Sequence, residues 1–293
     1  MTETENLITS LQNPKVKRLV LLQQKSSERR KSGLFVVEGQ RELEHCLEAG
    51  YEVDSIYYCP ELSAHTPMPH SQKENAQAST FNTPRNATLS KTERPSQRHN
   101  FKDRTFCVTA AVYEKIAYRG STEGVLAVVK SRSTTLDELP KKEAPLYVVL
   151  ESVEKPGNLG AVLRSADAAA ADAVIVCDPL TDLYNPNLIR SSIGAIFSVP
   201  CVACSSEECI SFLKARGVRI LTAQLQDSHL YYNTDMRQGT AIVMGTESTG
   251  LTDVWRQAAD AHIRIPMLGR LDSLNVSVSA AILLFEAVRQ RTI

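Results

Sequence analysis

Three short stretches of this chain carry side chains whose types and spacing suit the handling of a polar substrate. In "KPGNLGAVLR", Asn158 precedes Arg164 by six residues, and Gly157 and Gly160 allow a close approach to the backbone. In "GTESTGL", Gly245 and Gly250 permit positive φ, which turns backbone N–H groups toward a ligand, and Glu247 supplies a carboxylate. In "LDSLNVSVSAAI", Ser273, Asn275, Ser277 and Ser279 crowd the first turn of an apolar helix, where a single capping residue would be enough. The chemistry open to such a set is positional. Helix N-termini offer unpaired N–H groups, Asn and Ser orient a hydroxyl or an amide, and a guanidinium grips a phosphate. Each stretch taken alone reads equally as a cap, a tight turn or a solvated surface.

The elements that must hold these residues alternate. From Leu146 onward, "LYVVLESV", "DAVIVCD", "VPCVAC", "VRILTAQ", "TAIVMG" and "AHIRIP" read as strands. Between them, "NLGAVLRSADAAAA", "NPNLIRSSIGAIF" and "SEECISFLKARG" read as helices, with Asn158 as the first cap, and further helices surround Trp255 and close the chain. This alternation predicts an α/β fold with a mostly parallel sheet and helices on both faces. Ligands on such sheets collect at the carboxyl ends of the strands, where all three stretches fall. In the final helix Val278, Ala281, Phe285 and Val288 follow three-and-four spacing, and Leu274 extends the row backwards. That row is expected to be the buried face.

Ahead of this core, "LFVVEG", "QRELEHCLEAG", "VDSIYYC" and "RTFCVTAAVYEKIAYRGSTEGVLAVVKS" describe a small α/β unit. Residues 63–104 are rich in Ser, Thr, Asn, Gln and Pro and nearly free of aliphatic side chains. Such a composition cannot bury enough surface to order itself, so a mobile insertion is expected there. "ELPKKEAPL" marks the boundary between an expected first domain, 1–137, and a second, 146–293.

The 33 basic and 33 acidic residues of this 293-residue chain cancel, so any contact with nucleic acid must be local. "NPKVKRLVLLQQKSSERRKSG" is such a patch, with Lys15, Lys17, Arg18, Arg29, Arg30 and Lys31 as candidate phosphate contacts. A basic, solvated helix face is the alternative. Seven cysteines without a secretory start point to reduced thiols in the cytoplasm, and no stretch is apolar for long enough to enter a membrane. The pair in "CVAC", Cys201 and Cys204, has Cys209 close by but no second ligand pair, so these read as small core cysteines and no metal is expected. The first core strand is not followed by a G-x-G-x-x-G turn, which argues against a nicotinamide enzyme.

"NLGAVLR", "GTESTGL" and "IPMLGRLDSLNVSVSAAI", in this order and separation, resemble the three signature motifs of the SpoU (TrmH) group of SPOUT-class RNA methyltransferases. "RSSIGAIFSVP" between the first two fits the same pattern, and the resemblance spans about the C-terminal half of the chain. The front part, with "LFVVEGQRELEHCLEAG" and "STEGVLAVV", is similar to the ribosomal-protein-like RNA-binding domain often placed before that core. One departure is "AAAADAVIV", where Ala171 closes a turn that the family commonly makes with glycine.

The resemblance implies methyl transfer from S-adenosylmethionine to a ribose 2′-hydroxyl in RNA, ribosomal ahead of transfer RNA. It also implies a C-terminal trefoil knot and a homodimer formed through the final helix. The cofactor site it implies is built from Gly245, Ile265 and Leu274, with Thr222, Ala223, Glu247 and Met267 nearby. The implied catalytic group is Asn158, Arg164, Glu247, Ser273 and Asn275. In it Arg164 contacts the target hydroxyl and an adjacent phosphate, Asn158 and Asn275 organise Arg164 and the substrate, Ser273 meets the hydroxyl, and Glu247 joins the local hydrogen bonds. An RNA-binding protein that keeps this scaffold without turnover is the other class left open.

Overall fold

The computed structural model describes residues 6–63, 101–118, 123–246 and 248–292. Its first sheet comprises β1 (Leu7–Ile8), β2 (Leu34–Glu38), β3 (Val53–Tyr58), β4 (Thr105–Val108) and β5 (Val125–Lys130), in the order β1-β4-β3-β5-β2. β5 runs antiparallel to β2 and β3, whereas β4 is parallel to β1 and β3. The helices of this part are α1 (Pro14–Gln24), α2 (Ser26–Ser32), α3 (Gln40–Glu48) and α4 (Ala110–Ile116). Asn13 caps α1 by accepting the Lys15 N–H, and Pro14 sits where a missing N–H costs nothing. α1 and α4 bury Val16, Leu19, Val112 and Tyr113 against one face of the sheet. Of the segment expected to be mobile, residues 64–100 lie outside the described residues. Both of its ends belong to the packed structure: the Ser63 hydroxyl donates to the Cys59 carbonyl, and Phe101 is buried in the core.

The second sheet has seven strands, all paired in parallel: β6 (Leu146–Glu151), β7 (Ala173–Cys177), β8 (Cys201–Cys204), β9 (Arg219–Ala223), β10 (His229–Leu230), β11 (Thr240–Met244) and β12 (Ala261–Arg264). Their order is β10-β12-β9-β11-β6-β7-β8. Helices α5 (Pro156–Ala168), α6 (Pro186–Ser192), α7 (Ala195–Ser198) and α10 (Val276–Thr292) cover one face, and α8 (Ser206–Ala215) and α9 (Asp253–Ala258) the other. The alternation within β6 reports this directly. Leu146, Val148 and Leu150 join the core beneath α5 and α10, while Tyr147 and Val149 join the core beneath α8 and α9.

Several local expectations are corrected. The helix foreseen in "NPNLIRSSIGAIF" is two helices, because Ile193 and Gly194 take φ of 54° and 84°. A Cβ on Gly194 would lie 2.9 Å from the His45 ring of α3, so glycine here lets the two parts of the molecule meet. The turn after α5 places Ala170, not Ala171, in the left-handed region. α10 begins at Val276, and its buried residues include Ala280, Leu283, Leu284 and Ala287. The expected row is the wrong face, with Val278 46% and Phe285 49% exposed. α10 is apolar on more than one side, so spacing alone could not say which side meets α5 and the sheet.

The two sheets share one apolar cluster, joined by aromatic contacts. Phe35 of β2 stacks on Tyr184 with centroids 4.2 Å apart and lies 6.1 Å from Phe197 of α7. The Tyr184 hydroxyl donates to the Arg132 carbonyl and accepts the Arg132 N–H in the connecting segment.

Candidate active site

The carboxyl ends of β6 and β11 meet the start of α10. Asn275 Nδ2 donates to Asn158 Oδ1 at 3.2 Å, across 117 residues of sequence. The other end of the same amide caps α10: Oδ1 accepts the Ser277 N–H at 3.0 Å and the Ser277 hydroxyl at 2.6 Å. The surplus of polar groups at this helix opening thus has two tasks, one capping and one bridging to α5. Asn158 itself is not the cap of α5. Lys155 holds that position, Pro156 begins the helix, and Asn158 lies in the first turn. Asn158 and Gly245 line one cleft of about 240 Å³, with Glu151, Lys155, Ser248 and Val276.

Gly245 is required by the loop that follows it. A Cβ there would fall 2.2 Å from the Gly250 carbonyl, and Thr246 and Gly250 exchange backbone hydrogen bonds at 3.2 and 3.1 Å. Gly250 closes this loop at φ +69°. Gly160, expected to approach a ligand, instead packs α5 onto α6, where a Cβ would meet Ser192 N at 2.8 Å. Sequence reasoning missed Glu151. Only 4% exposed, its carboxylate accepts the Thr252 N–H at 2.9 Å and the Thr252 hydroxyl at 2.6 Å, so it clamps the loop after β11 to the end of β6. The available signal was a lone acid closing an otherwise apolar strand.

A second cleft, of about 430 Å³, lies beside the segment between β12 and α10 and is lined by Ile265, Met267 and Leu271, by Leu225 and Leu230, and by charged groups including Arg264 and Arg270. Ala223 ends β9 nearby in sequence, and Gln224 follows it. The Gln224 amide donates from Nε2 to the Gln226 carbonyl at 2.9 Å, while its Oε1 is buried with no partner among the described residues. The mixed lining, with apolar Ile265, Met267 and Leu271 beside Arg264, Arg270 and Asp272, suits a ligand with both a flat apolar part and polar groups. Thr222 does not line this cleft. It is fully buried, and its hydroxyl lies 2.6 Å from His262 Nδ1, so it supports the strand end from beneath. Leu274 is 40% exposed and Ser273 is exposed, its hydroxyl donating to Asp272. Glu247 lies outside the described residues.

Arg164 is exposed and faces a third cleft, of about 470 Å³, between the two sheets, with Glu38, Arg41, Asn187 and Arg190 also on its walls. Among the described residues Arg164 makes no hydrogen bond or ion pair, which leaves its guanidinium open to solvent. Of the basic patch, Lys15, Lys17, Arg18, Arg30 and Lys31 are exposed, and Lys15 Nζ stands 4.4 Å over the Phe106 ring. Arg29 is a correction. It is 5% exposed, its Nε donates to Asp182 at 2.5 Å, and its Nη1 donates to the Leu22 carbonyl at 2.6 Å. A guanidinium so enclosed ties the first part of the molecule to the loop before α6 and is not available to a phosphate.

Residues 145–285 match the SpoU rRNA Methylase family, and residues 13–127 match the MRM3-like substrate binding domain. The 23S rRNA (uridine(2479)-2'-O)-methyltransferase of Streptomyces viridochromogenes is 37% identical over 174 residues, 57% of this chain and 60% of that protein. The 23S rRNA (guanosine-2'-O-)-methyltransferase RlmB of Vibrio vulnificus is 36% identical over 190 residues, 63% of this chain and 77% of that one. The crystal structure of an AdoMet-bound rRNA methyltransferase from Sinorhizobium meliloti matches with a TM-score of 0.78 at 27% identity, over 97% of each chain.

Proposed function

The chain belongs to the SpoU rRNA Methylase family, and on that premise we propose that it transfers a methyl group from S-adenosylmethionine to a ribose 2′-hydroxyl of ribosomal RNA. The observation that carries this reading is the Asn275 to Asn158 hydrogen bond, which ties the third motif stretch to the first at a cleft walled by Gly245 of the second. When bound, S-adenosylmethionine supplies a methyl group on a positively charged sulfur, which needs no further activation. The work left to the chain is positional, and near-attack geometry removes several kcal/mol of barrier.

In this reading Ile265 and Met267 of the second cleft, with Leu274, take the apolar part of the cofactor. Asn158 and Asn275 hold the openings of α5 and α10 at a fixed separation. Arg164 grips a phosphate beside the target and orients the hydroxyl. A guanidinium stays protonated, so the hydroxyl proton passes to phosphate or water. Ser273 and Glu247 keep the supporting roles that the family resemblance implies.

The part containing the first sheet, 1–137, serves as the RNA-binding domain, with Lys15, Lys17, Arg18, Arg30 and Lys31 as phosphate contacts, and 146–293 is the catalytic domain. Exposed Val278 and Phe285 on α10, with exposed Leu274 just before it, support a homodimer across that helix. The trefoil knot belongs to the same reading. All seven cysteines are free, which suits a cytoplasmic setting, and no described helix is long and apolar enough to cross a membrane.

The test is incubation of purified protein with ribosomal RNA and methyl-labelled S-adenosylmethionine, followed by alkaline hydrolysis. Label in alkali-resistant dinucleotides, lost with Arg164→Ala, is the expected result. RNA binding without label at any cofactor concentration would return the chain to the class of scaffold proteins without turnover.

A further inference from the structure

Cys177 lies 27 residues before Cys204 in the sequence, yet it converges with Cys204 and Cys209 in the fold. Cys177 ends β7 and Cys204 ends β8, and the two are paired in register on these neighbouring parallel strands. Cys209 descends onto them from α8. The three Sγ atoms all lie within 4.8 Å of one another. Cys177 and Cys209 are fully buried, whereas Cys204 is half-buried and lines an open groove of about 850 Å³ beside α8. The trio therefore has a closed floor and one mouth.

We propose that Cys177, Cys204 and Cys209 form a binding site for a thiophilic metal cation, Zn²⁺ or Cu⁺, on the face of the sheet opposite α5 and α10. Sulfurs bound to one zinc ion at about 2.3 Å stand roughly 3.8 Å apart in tetrahedral geometry, so closing the site asks for a movement of only about 1 Å. A disulfide fits less well, because residues directly opposite on parallel strands hold their side chains side by side rather than aimed at each other.

The nearby carboxylates add negative potential without competing as ligands. Asp178 accepts the Ser206 N–H and hydroxyl, and Glu208 accepts the Ser205 N–H in a capping box. Three sulfur ligands with solvent at a fourth position is then the natural geometry for Zn²⁺, and a trigonal site that for Cu⁺. Cys177 is paired in register with Glu151, the acid that clamps the loop after β11. An ion here would pin β7, β8 and α8 together one strand from the cleft that Asn158 and Gly245 line.

The experiment strips the full chain with chelator and reductant and titrates it, without oxygen, with Co²⁺ as an optical probe and separately with Zn²⁺ and Cu⁺ by calorimetry. One equivalent per chain is expected, with a thiolate-to-cobalt charge-transfer band that Zn²⁺ abolishes, and whichever ion binds more tightly is the preferred occupant. Cys204→Ser, at the half-buried position, should remove the band while keeping the native circular dichroism spectrum, and Cys201→Ser should leave it intact. A rise in Tm with Zn²⁺ or Cu⁺ in the unaltered chain, absent in Cys204→Ser, gives a second readout. The proposal fails if no thiolate band appears and neither Zn²⁺ nor Cu⁺ binds, or if the band survives both Cys204→Ser and Cys209→Ser.

Discussion

The cleft at the ends of β6 and β11 and the basic face of α1 and α2 are both polar surfaces, but they are built in different ways. At the cleft, two key polar side chains are held by partners from distant elements: Asn275 by Asn158, and Glu151 by Thr252. On the basic face, Lys17, Arg18, Arg30 and Lys31 stand in solvent, and the one arginine with a firm partner, Arg29, has been drawn inside. The difference teaches that positive charge in the sequence marks a surface only where nothing within the fold claims it. A site that must place atoms is enclosed and bonded, whereas a site that must attract a polyanion needs only exposed charge.

The sharpest break of that contrast is Arg29→Met. If Arg29 is a strut rather than a phosphate contact, the protein loses about 3 kcal/mol of stability through the unpaired Asp182, read as a lowered denaturation midpoint, while the salt dependence of RNA affinity stays unchanged. Arg164→Ala should do the reverse. Its guanidinium makes no contact that holds the fold, so melting is unaffected while methyl transfer falls roughly 100-fold, equivalent to about 2.7 kcal/mol. Replacing Lys17, Arg18, Arg30 and Lys31 together with Gln is expected to weaken RNA binding about tenfold and to flatten its salt dependence by up to roughly 3 units, without touching cofactor affinity. A cofactor affinity that fell in parallel would erase the distinction between the two regions.

Asn275→Ala removes a cap and a bridge at once. A loss of about 1 kcal/mol in stability is expected, with a larger proportional loss of methyl transfer, measured by melting and by kcat/KM on the same preparation. The smallest effect concerns the far end of α10, where Arg289 beside Glu286 holds that carboxyl below its ordinary value of 4.5. A depressed carboxyl stabilises the fold above its unfolded value, and the contribution disappears as pH falls through the lower, folded value. The Tm difference between the unaltered chain and Glu286→Gln should therefore shrink below about pH 4.5, by well under 1 kcal/mol because Arg289 is exposed.

Much of the fold was legible because strands buried on both faces carry unbroken apolar runs. "LYVVL", "AVIVC" and "TAIVM" appear as β6, β7 and β11 where they were expected. Helix faces were less legible. The row Val278, Ala281, Phe285 and Val288 has the right period for burial, and so does the row Ala280, Leu283, Leu284 and Ala287. Periodicity reports that a helix has apolar sides, and the neighbouring elements decide which one is used.

For the site, residue types alone singled out Asn158, Gly245 and Asn275, since glycine at a strand end and amides at a helix opening are local features. Their meeting was not local. The Asn158 to Asn275 bond, the burial of Arg29 against Asp182, the clamp from Glu151 to Thr252 and the approach of Cys177 to the Cys204 and Cys209 pair all join positions remote in sequence. Strand and helix identity follow from short-range sterics and from which side chains avoid water, so the chain carried them in plain order. Which polar group faces which depends on where β6, β7, β8, β11 and α10 come to rest against one another, and only the packed core determined that.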